Sequence, residues 1–270
     1  MSVFTGVVKI GGAEGNRLEP LTRELASRTS AGERWALVHG ASGIMDRMCG
    51  ERGLEIRMIT SPSGYRSRFV GEAERAVFEE AAMAYGALIS DALAERGVRS
   101  ERMSPEDSGV TAVRKDVLRE NAGGRIRIVR GNYSGTVNGV DASRIKSAMD
   151  KGVIPVLPPL GFDRESSLPI NIDGDRLAAA AAAGLRAVLV ILSNVPGLMK
   201  DVNDPASRIA EGSLGNWDAL EHYARGNMKR KLVAAREALE KGVSRVYLAD
   251  GRVDDPIKNA MEGNGTCLVR

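Results

Sequence analysis

At 270 residues the chain is long enough for one large α/β domain or for two lobes, and 43% hydrophobic residues supply a sizeable core. A net charge of only +3, with 4% aromatic residues, argues against a nucleic-acid binder that works by backbone charge and base stacking. Two distant cysteines, Cys49 and Cys267, and two histidines, His39 and His222, supply neither a disulfide framework nor a multi-histidine metal site. The N-terminus lacks a basic segment followed by an apolar stretch, and the alanine-rich run around Leu177–Gly184 is too short to span a bilayer. A cytoplasmic globular protein is expected.

The first predicted strand, Val7–Ile10, contains Lys9 and runs into Gly11 and Gly12. A lysine in an apolar strand costs free energy unless an anion meets it, and glycines leave backbone N–H groups open to an oxyanion. A surface lysine before an ordinary turn is the alternative. A second strand, Trp35–Val38, ends in His39-Gly40-Ala41-Ser42-Gly43 and opens a helix over Ile44–Arg52. Helix N-terminal amides favour negative charge, although the spacing is neither that of a P-loop nor of a dinucleotide fingerprint. A long helix, Glu72–Arg96, is followed by a strand at Arg125–Val129 and a helix at Asp141–Lys151. Between Arg96 and Arg130, nine Lys/Arg stand against five Asp/Glu, a solvated surface or a face for an acidic partner.

The strand Val153–Leu157 is read as closed by Pro155, Pro158 and Pro159, and Gly161–Glu165 as a loop. A lobe boundary near residue 165 divides the chain into 1–165 and 166–270. Ile170-Asn171-Ile172-Asp173-Gly174-Asp175 leads into a helix over Asp175–Gly184, where Asp175 is either an N-cap or an acid that orients basic groups. The strand Ala187–Leu192 ends in Ser193-Asn194-Val195-Pro196-Gly197, where a nucleotide base or ribose would sit. Helices follow at Trp217–Tyr223 and Met228–Lys241, then a strand at Arg245–Leu248. Lys229, Arg230 and Lys231 oppose the macrodipole of the helix they begin, which either invites a phosphate or is a solvated basic turn. Strand and helix in alternation predict an α/β fold, an αβα sandwich around a mainly parallel sheet, with sites beyond the strands' carboxyl ends.

In order and spacing these segments resemble the amino acid kinase family, and within it the acetylglutamate kinase branch. The likeness is carried by Lys9-Ile10-Gly11-Gly12, His39-Gly40-Ala41-Ser42, Asn171-Ile172-Asp173-Gly174-Asp175 and Met228-Lys229-Arg230-Lys231. Thr60-Ser61-Pro62-Ser63-Gly64-Tyr65-Arg66-Ser67-Arg68 and Gly131-Asn132-Tyr133-Ser134-Gly135 narrow it. They look like the kinases that act on 2-aminoadipate or glutamate joined to a small acidic amino-group carrier protein in lysine and arginine biosynthesis. The resemblance implies an N-terminal acceptor lobe, a C-terminal ATP lobe, Mg²⁺ bound through the nucleotide phosphates, and a homodimer. It implies that Lys9 and Lys231 stabilise the transferring phosphoryl group and that Asp175 holds them. Gly11, Gly12, Ser193, Asn194, Gly197 and Met228 would serve the nucleotide. Gly40, Ala41, Arg68 and Asn171 would serve the acceptor, with Arg68 clamping a carboxylate and Arg66 free for the carrier. Arg66 and Arg68 are otherwise plain loop arginines.

Four positions depart from the pattern: Ala41 and Ser42 replace glycines, Asn227 stands where a second glycine is common, and Asn194 replaces an aspartate. The nearest rival activity is phosphorylation of free N-acetylglutamate. Carbamate or uridylate kinases are more distant, and a non-catalytic nucleotide sensor would have lost a reacting lysine or Asp175.

Overall fold

The computed structural model describes residues 3–12, 17–62 and 64–270; Ser63, in the segment that narrows the resemblance, lies outside them. The apolar runs fold into an eight-stranded sheet. From edge to edge its order is Glu211–Ser213, Thr266–Val269, Arg245–Asp250, Val188–Ser193, Thr5–Ile10, Arg34–His39, Ile154–Leu157 and Ser100–Arg102. Every neighbouring pair is parallel except Arg245–Asp250 with Thr266–Val269. Strand Thr5–Ile10 is therefore central and buried on both faces, as its Val-Val-Lys-Ile sequence requires.

Period-two alternation sends successive side chains of that strand into different cores. Val7 packs with Ile145, Leu177 and Leu232, from helices Ala142–Asp150, Gly174–Leu185 and Asn227–Glu240. Val8 and Ile10 pack on the other face with Leu21, Leu25, Ile89 and Leu93, from helices Leu18–Ser30 and Glu72–Ala94. Lys9 has the parity of Val7, so it projects toward the alanine-rich helix. Five of the six expected strands lie in this sheet within two residues of their expected ends, and the six expected helices form.

Several features differ from expectation. Helix Leu18–Ser30 is not among the expected elements; Pro20 sits in its first turn, where the absent N–H has no intrahelical partner to lose. Pro155 stands inside its strand, opposite Glu101, and only Pro158 and Pro159 follow the strand. Arg125–Val129 does not join the central sheet but pairs with Leu118–Ala122 as a two-stranded ribbon. A second sheet is ordered Leu168–Asn171, Leu160–Asp163, Thr111–Arg114 and Gly135–Gly139, and its strand Leu160–Asp163, in the stretch expected as a loop, starts just past the carboxyl end of Ile154–Leu157. Its first two strands form an antiparallel hairpin, whose turn contains residue 165. Met58–Thr60 and Arg66–Arg68 form a separate short antiparallel hairpin.

Candidate active site

The parallel register aligns the ends of the central strands. Ile10 is level with His39 on one side and Leu192 on the other, and Ser193 with Asp250. The turns after these strands meet backbone to backbone. Gly40 N donates to Ile10 O at 3.0 Å and Gly43 N to Gly12 O at 2.6 Å. A Cβ at Gly12 would stand 2.2 Å from Ala41 N, and one at Gly40 would stand 2.5 Å from Gly12 N. Glycine is needed at both positions to let the two turns cross. Ala41 is buried, has φ −144°, and caps helix Ser42–Glu51, so the glycine it replaces is not required for a left-handed backbone.

Helix Gly174–Leu185 is capped by Asp173, whose carboxylate accepts from Asp175 N at 2.8 Å and Arg176 N at 3.3 Å. Asp175 is thereby freed from capping and turns inward. Its Oδ1 lies 2.6 Å from Lys9 Nζ, an ion pair outside hydrogen-bond angles, and its Oδ2 accepts from Lys231 Nζ at 3.0 Å. All three side chains are buried: Lys9 is 7% exposed, Asp175 6% and Lys231 8%. Burial works against the ionised form of Asp175, but the flanking Lys9 and Lys231 ammonium groups prevail and hold its carboxyl well below the usual range. Burial, and then the charge of Lys9, push the Lys231 ammonium below its ordinary value against the pull of Asp175. Two ammonium groups on one carboxylate leave one uncompensated positive charge in a buried space. Such a charge needs an anion.

His39 lies fully buried beside this cluster. Its Nδ1 is 2.9 Å from Gly40 O, a contact that requires a proton on Nδ1. Burial lowers its pKa to about 4, opposed by the Gly40 carbonyl and assisted by Lys9, so the ring is neutral. It fixes the carbonyl of the turn that approaches Gly12.

The remaining expected site residues are arranged as follows. Ser193 is buried, and its carbonyl accepts from Gly251 N at 2.7 Å; Asn194 beside it is exposed. Gly197 has φ +156° and packs where a Cβ would meet Thr266 Oγ1 at 2.5 Å. Met228 lies partly buried against the core near the start of helix Asn227–Glu240. Gly226, the cap before it, has φ +50°, so the positive φ falls on glycine and not on Asn227. Of the three basic residues beginning this helix, only Lys231 reaches Asp175. Arg230 donates to Arg66 O at 2.5 Å, and Lys229 sits 5.9 Å from the Tyr65 ring centre. Arg68 is ion-paired with Asp46 and touches Met45 Sδ at 2.6 Å. Asn171 ends its strand opposite Leu160 and donates its N–H to Tyr133 O at 3.1 Å.

Three contributors were not singled out from sequence: Asp46, which holds Arg68; Asp173, the cap that releases Asp175; and Asn132. Asp173 and Asn132 each lie in a segment that carries the resemblance, and Asp173 adds a local signal, an aspartate two residues before another at a helix start; Asp46 has neither. Asn132 is fully buried and donates to Lys115 O at 2.8 Å and to Ser134 Oγ at 2.8 Å, while its Oδ1 accepts from Val70 N at 3.3 Å. It ties the Gly131–Gly135 segment to the end of the Arg68 hairpin. Among the described residues no group of three or more His, Cys, Asp or Glu could hold a metal ion.

The family model described as amino acid kinase family matches residues 5–250. A Deinococcus radiodurans protein named LysW-aminoadipate kinase is 39% identical over 268 residues, covering 97% of this chain and 90% of its own. The Thermus thermophilus protein of the same name is 36% identical, with 97% and 99% covered. A Saccharolobus islandicus protein named LysW-aminoadipate/LysW-glutamate kinase is 32% identical, with 97% and 98% covered. Among solved structures, carbamate kinase from Giardia lamblia bound to AMP-PNP superposes with a TM-score of 0.71 at 17% identity, covering 99% of each chain. That likeness shows the fold alone.

Proposed function

We propose, for a chain that belongs to the amino acid kinase family, that it transfers the γ-phosphoryl group of ATP to the side-chain carboxylate of 2-aminoadipate or glutamate borne on a LysW-type carrier protein. One observation carries the transfer chemistry: the buried Lys9–Asp175–Lys231 cluster, with one positive charge in excess. Three relatives at 32–39% identity with carrier-borne substrates in their names support the acceptor.

A carboxylate is already ionised at neutral pH, so its attack on phosphorus needs no general base. The barrier is the approach of one anion to another, and the protein's work is positioning and charge neutralisation. Lys9, from the central strand, and Lys231, from the last long helix, reach the same point from segments more than two hundred residues apart. Asp175 keeps the two ammonium groups together and aimed. The close crossing of Gly12 and Gly40 fixes the two turns against each other at the ends of their strands, and the amides of the turns are assigned to the phosphates. Bound through the nucleotide phosphates, Mg²⁺ would neutralise part of their charge. Ser193, Asn194, Gly197 and Met228 are assigned to the nucleotide side, after residue 165. Gly40, Ala41, Arg68 and Asn171 are assigned to the acceptor, with Arg68 exchanging Asp46 for the substrate's α-carboxylate.

The test is ATP turnover by the purified protein on carrier-linked aminoadipate, carrier-linked glutamate and free N-acetylglutamate. The proposal expects the highest kcat/KM on a carrier-linked acceptor. Equal or better turnover of free N-acetylglutamate would overturn the carrier reading, and ATP binding without turnover on any of the three would overturn the transfer itself.

A further inference from the structure

The ribbon formed by Leu118–Ala122 and Arg125–Val129 has no catalytic task, yet it carries a distinctive surface. Its register pairs Arg119 with Ile128 and Asn121 with Ile126, and directly opposed residues share a face. Ile126 and Ile128 are each 55% exposed on that face. Four of the twelve exposed large apolar side chains among the described residues fall between residues 113 and 128. Arg119 shares that face, opposite Ile128, while Arg125 and Arg127 alternate onto the ribbon's other face and Arg130 follows the second strand; all four are exposed, and none of their side chains has a hydrogen bond or ion pair among the described residues. The segment's two acids are both engaged, Glu120 by Arg57 at 2.9 Å and Asp116 by Arg114 at 3.0 Å. A two-stranded ribbon is marginally stable alone, and exposed isoleucines on a ribbon rich in unpaired arginine side chains are costly on a free surface but suited to an interface.

Its attachment gives the direction. The Arg57–Glu120 bridge fastens the ribbon to the residue just before Met58, and Met58 is the strand partner of Arg68. At the ribbon's other end, Asn132 and Tyr133 lead to Val70 and to Asn171. Two of the proposed acceptor residues, Arg68 and Asn171, thus hang from the elements that hold the ribbon.

We propose that this ribbon is the docking surface for the substrate-bearing protein, and that the face it receives is acidic with an apolar centre. The inference rests on the carrier-linked reading above. Ile126 and Ile128, with Arg119 beside them, supply the desolvated contact, while the charge of Arg125 and Arg127 on the other face and of Arg130 at the ribbon's end steers the partner's approach so that its bound side chain enters beside Arg68.

The experiment compares the wild-type protein, the double variant R125E/R127E and the double variant I126S/I128S, using aminoadipate-loaded LysW-type carrier as the varied substrate at several salt concentrations. Thermal melting checks that each variant is folded. Expected for R125E/R127E is a rise in KM for the loaded carrier of at least about tenfold at low salt, with kcat and the KM for ATP unchanged and the salt dependence of KM flattened. I126S/I128S raises the same KM without flattening the salt dependence. If both folded variants keep wild-type KM values, the ribbon proposal is overturned while the carrier reading stands. If they change only the protein's oligomeric state, the ribbon is a contact between copies of this chain and the proposal also falls. Absence of wild-type turnover on any loaded carrier removes the parent reading instead.

Discussion

Replacing Asp175 with asparagine keeps the side chain's shape and removes the one negative charge between Lys9 and Lys231. In the wild type each ammonium sits within 3.0 Å of a carboxylate oxygen, at 2.6 and 3.0 Å. In the variant, two positive charges share a space in which every member is less than a tenth exposed. Removing one partner from a buried ion cluster costs about 3–5 kcal/mol, which for a chain of this size lowers Tm by roughly 6–10 °C. The loss has a pH signature. Lys231 is already pushed below its ordinary value by burial and by Lys9, so without Asp175 it sheds its proton more readily. The unfolded chain then binds more protons than the folded one, and stability rises as pH climbs toward the unfolded lysine value. Asp175 in the wild type works with the opposite group and the same sign: its lowered pKa gives stability that is present above the unfolded carboxylate value and is lost as pH falls. Thermal melts across pH, with turnover measured in parallel, separate structure from catalysis. Adding Lys231→Met to Asp175→Asn removes one of the two facing cations but leaves Lys9 without its partner, so the double variant should melt above the single variant and below the wild type while turnover stays abolished. The reasoning fails if Asp175→Asn melts like the wild type at neutral pH, or if the double variant melts no higher than the single.

Lys9→Ala and Lys231→Ala should each lower kcat at least about a hundredfold, the scale of losing one preorganised donor, with fold retained by circular dichroism; near-normal turnover would remove that lysine from the mechanism. Arg68→Ala should raise the acceptor KM by about 10–100-fold and leave the ATP KM unchanged, the range set by one charge-assisted hydrogen bond, and steady-state kinetics with each substrate varied in turn will show it. His39 is buried neutral at about 4, against an unfolded value near 6.5, so the folded protein resists protonation that the unfolded chain accepts. Stability should fall by on the order of 3 kcal/mol as pH drops from 6.5 to 4. Denaturant titrations of His39→Gln, which cannot gain that proton, should lack this component.

Sequence showed the fold where a strand or helix carries its own pattern, and failed where tertiary contact decides. Val7–Ile10 and Val188–Ser193 are apolar runs that only a doubly covered sheet can bury, so their strands were legible. Arg125–Val129 has the same β-branched content but belongs to an exposed ribbon, because alternating arginines decide the environment and period alone does not. Strands Ser100–Arg102 and Glu211–Ser213 are three residues long and take their conformation from a neighbouring strand, which leaves no local signal.

The candidate site follows the same division. Lys9, Asp175 and Lys231 were each ambiguous alone, and each reading required a partner that the sequence places far away. What made the convergence physically necessary is the central strand's parity. Lys9 shares the face of Val7, and on that face the helix that packs closest begins at Gly174. A Cβ there would stand 3.3 Å from His39 O and 3.5 Å from Lys9 Cε. Asp173 takes the capping role, so the next acid is free to face the lysine. Arg68 shows the limit of such reasoning. Its charge and its turn were visible, but its partner Asp46 lies on a helix whose outward face looks like any solvated surface. A carboxylate that competes for Arg68 must displace Asp46, and that exchange costs little, because Asp46 is about half exposed and regains water when released.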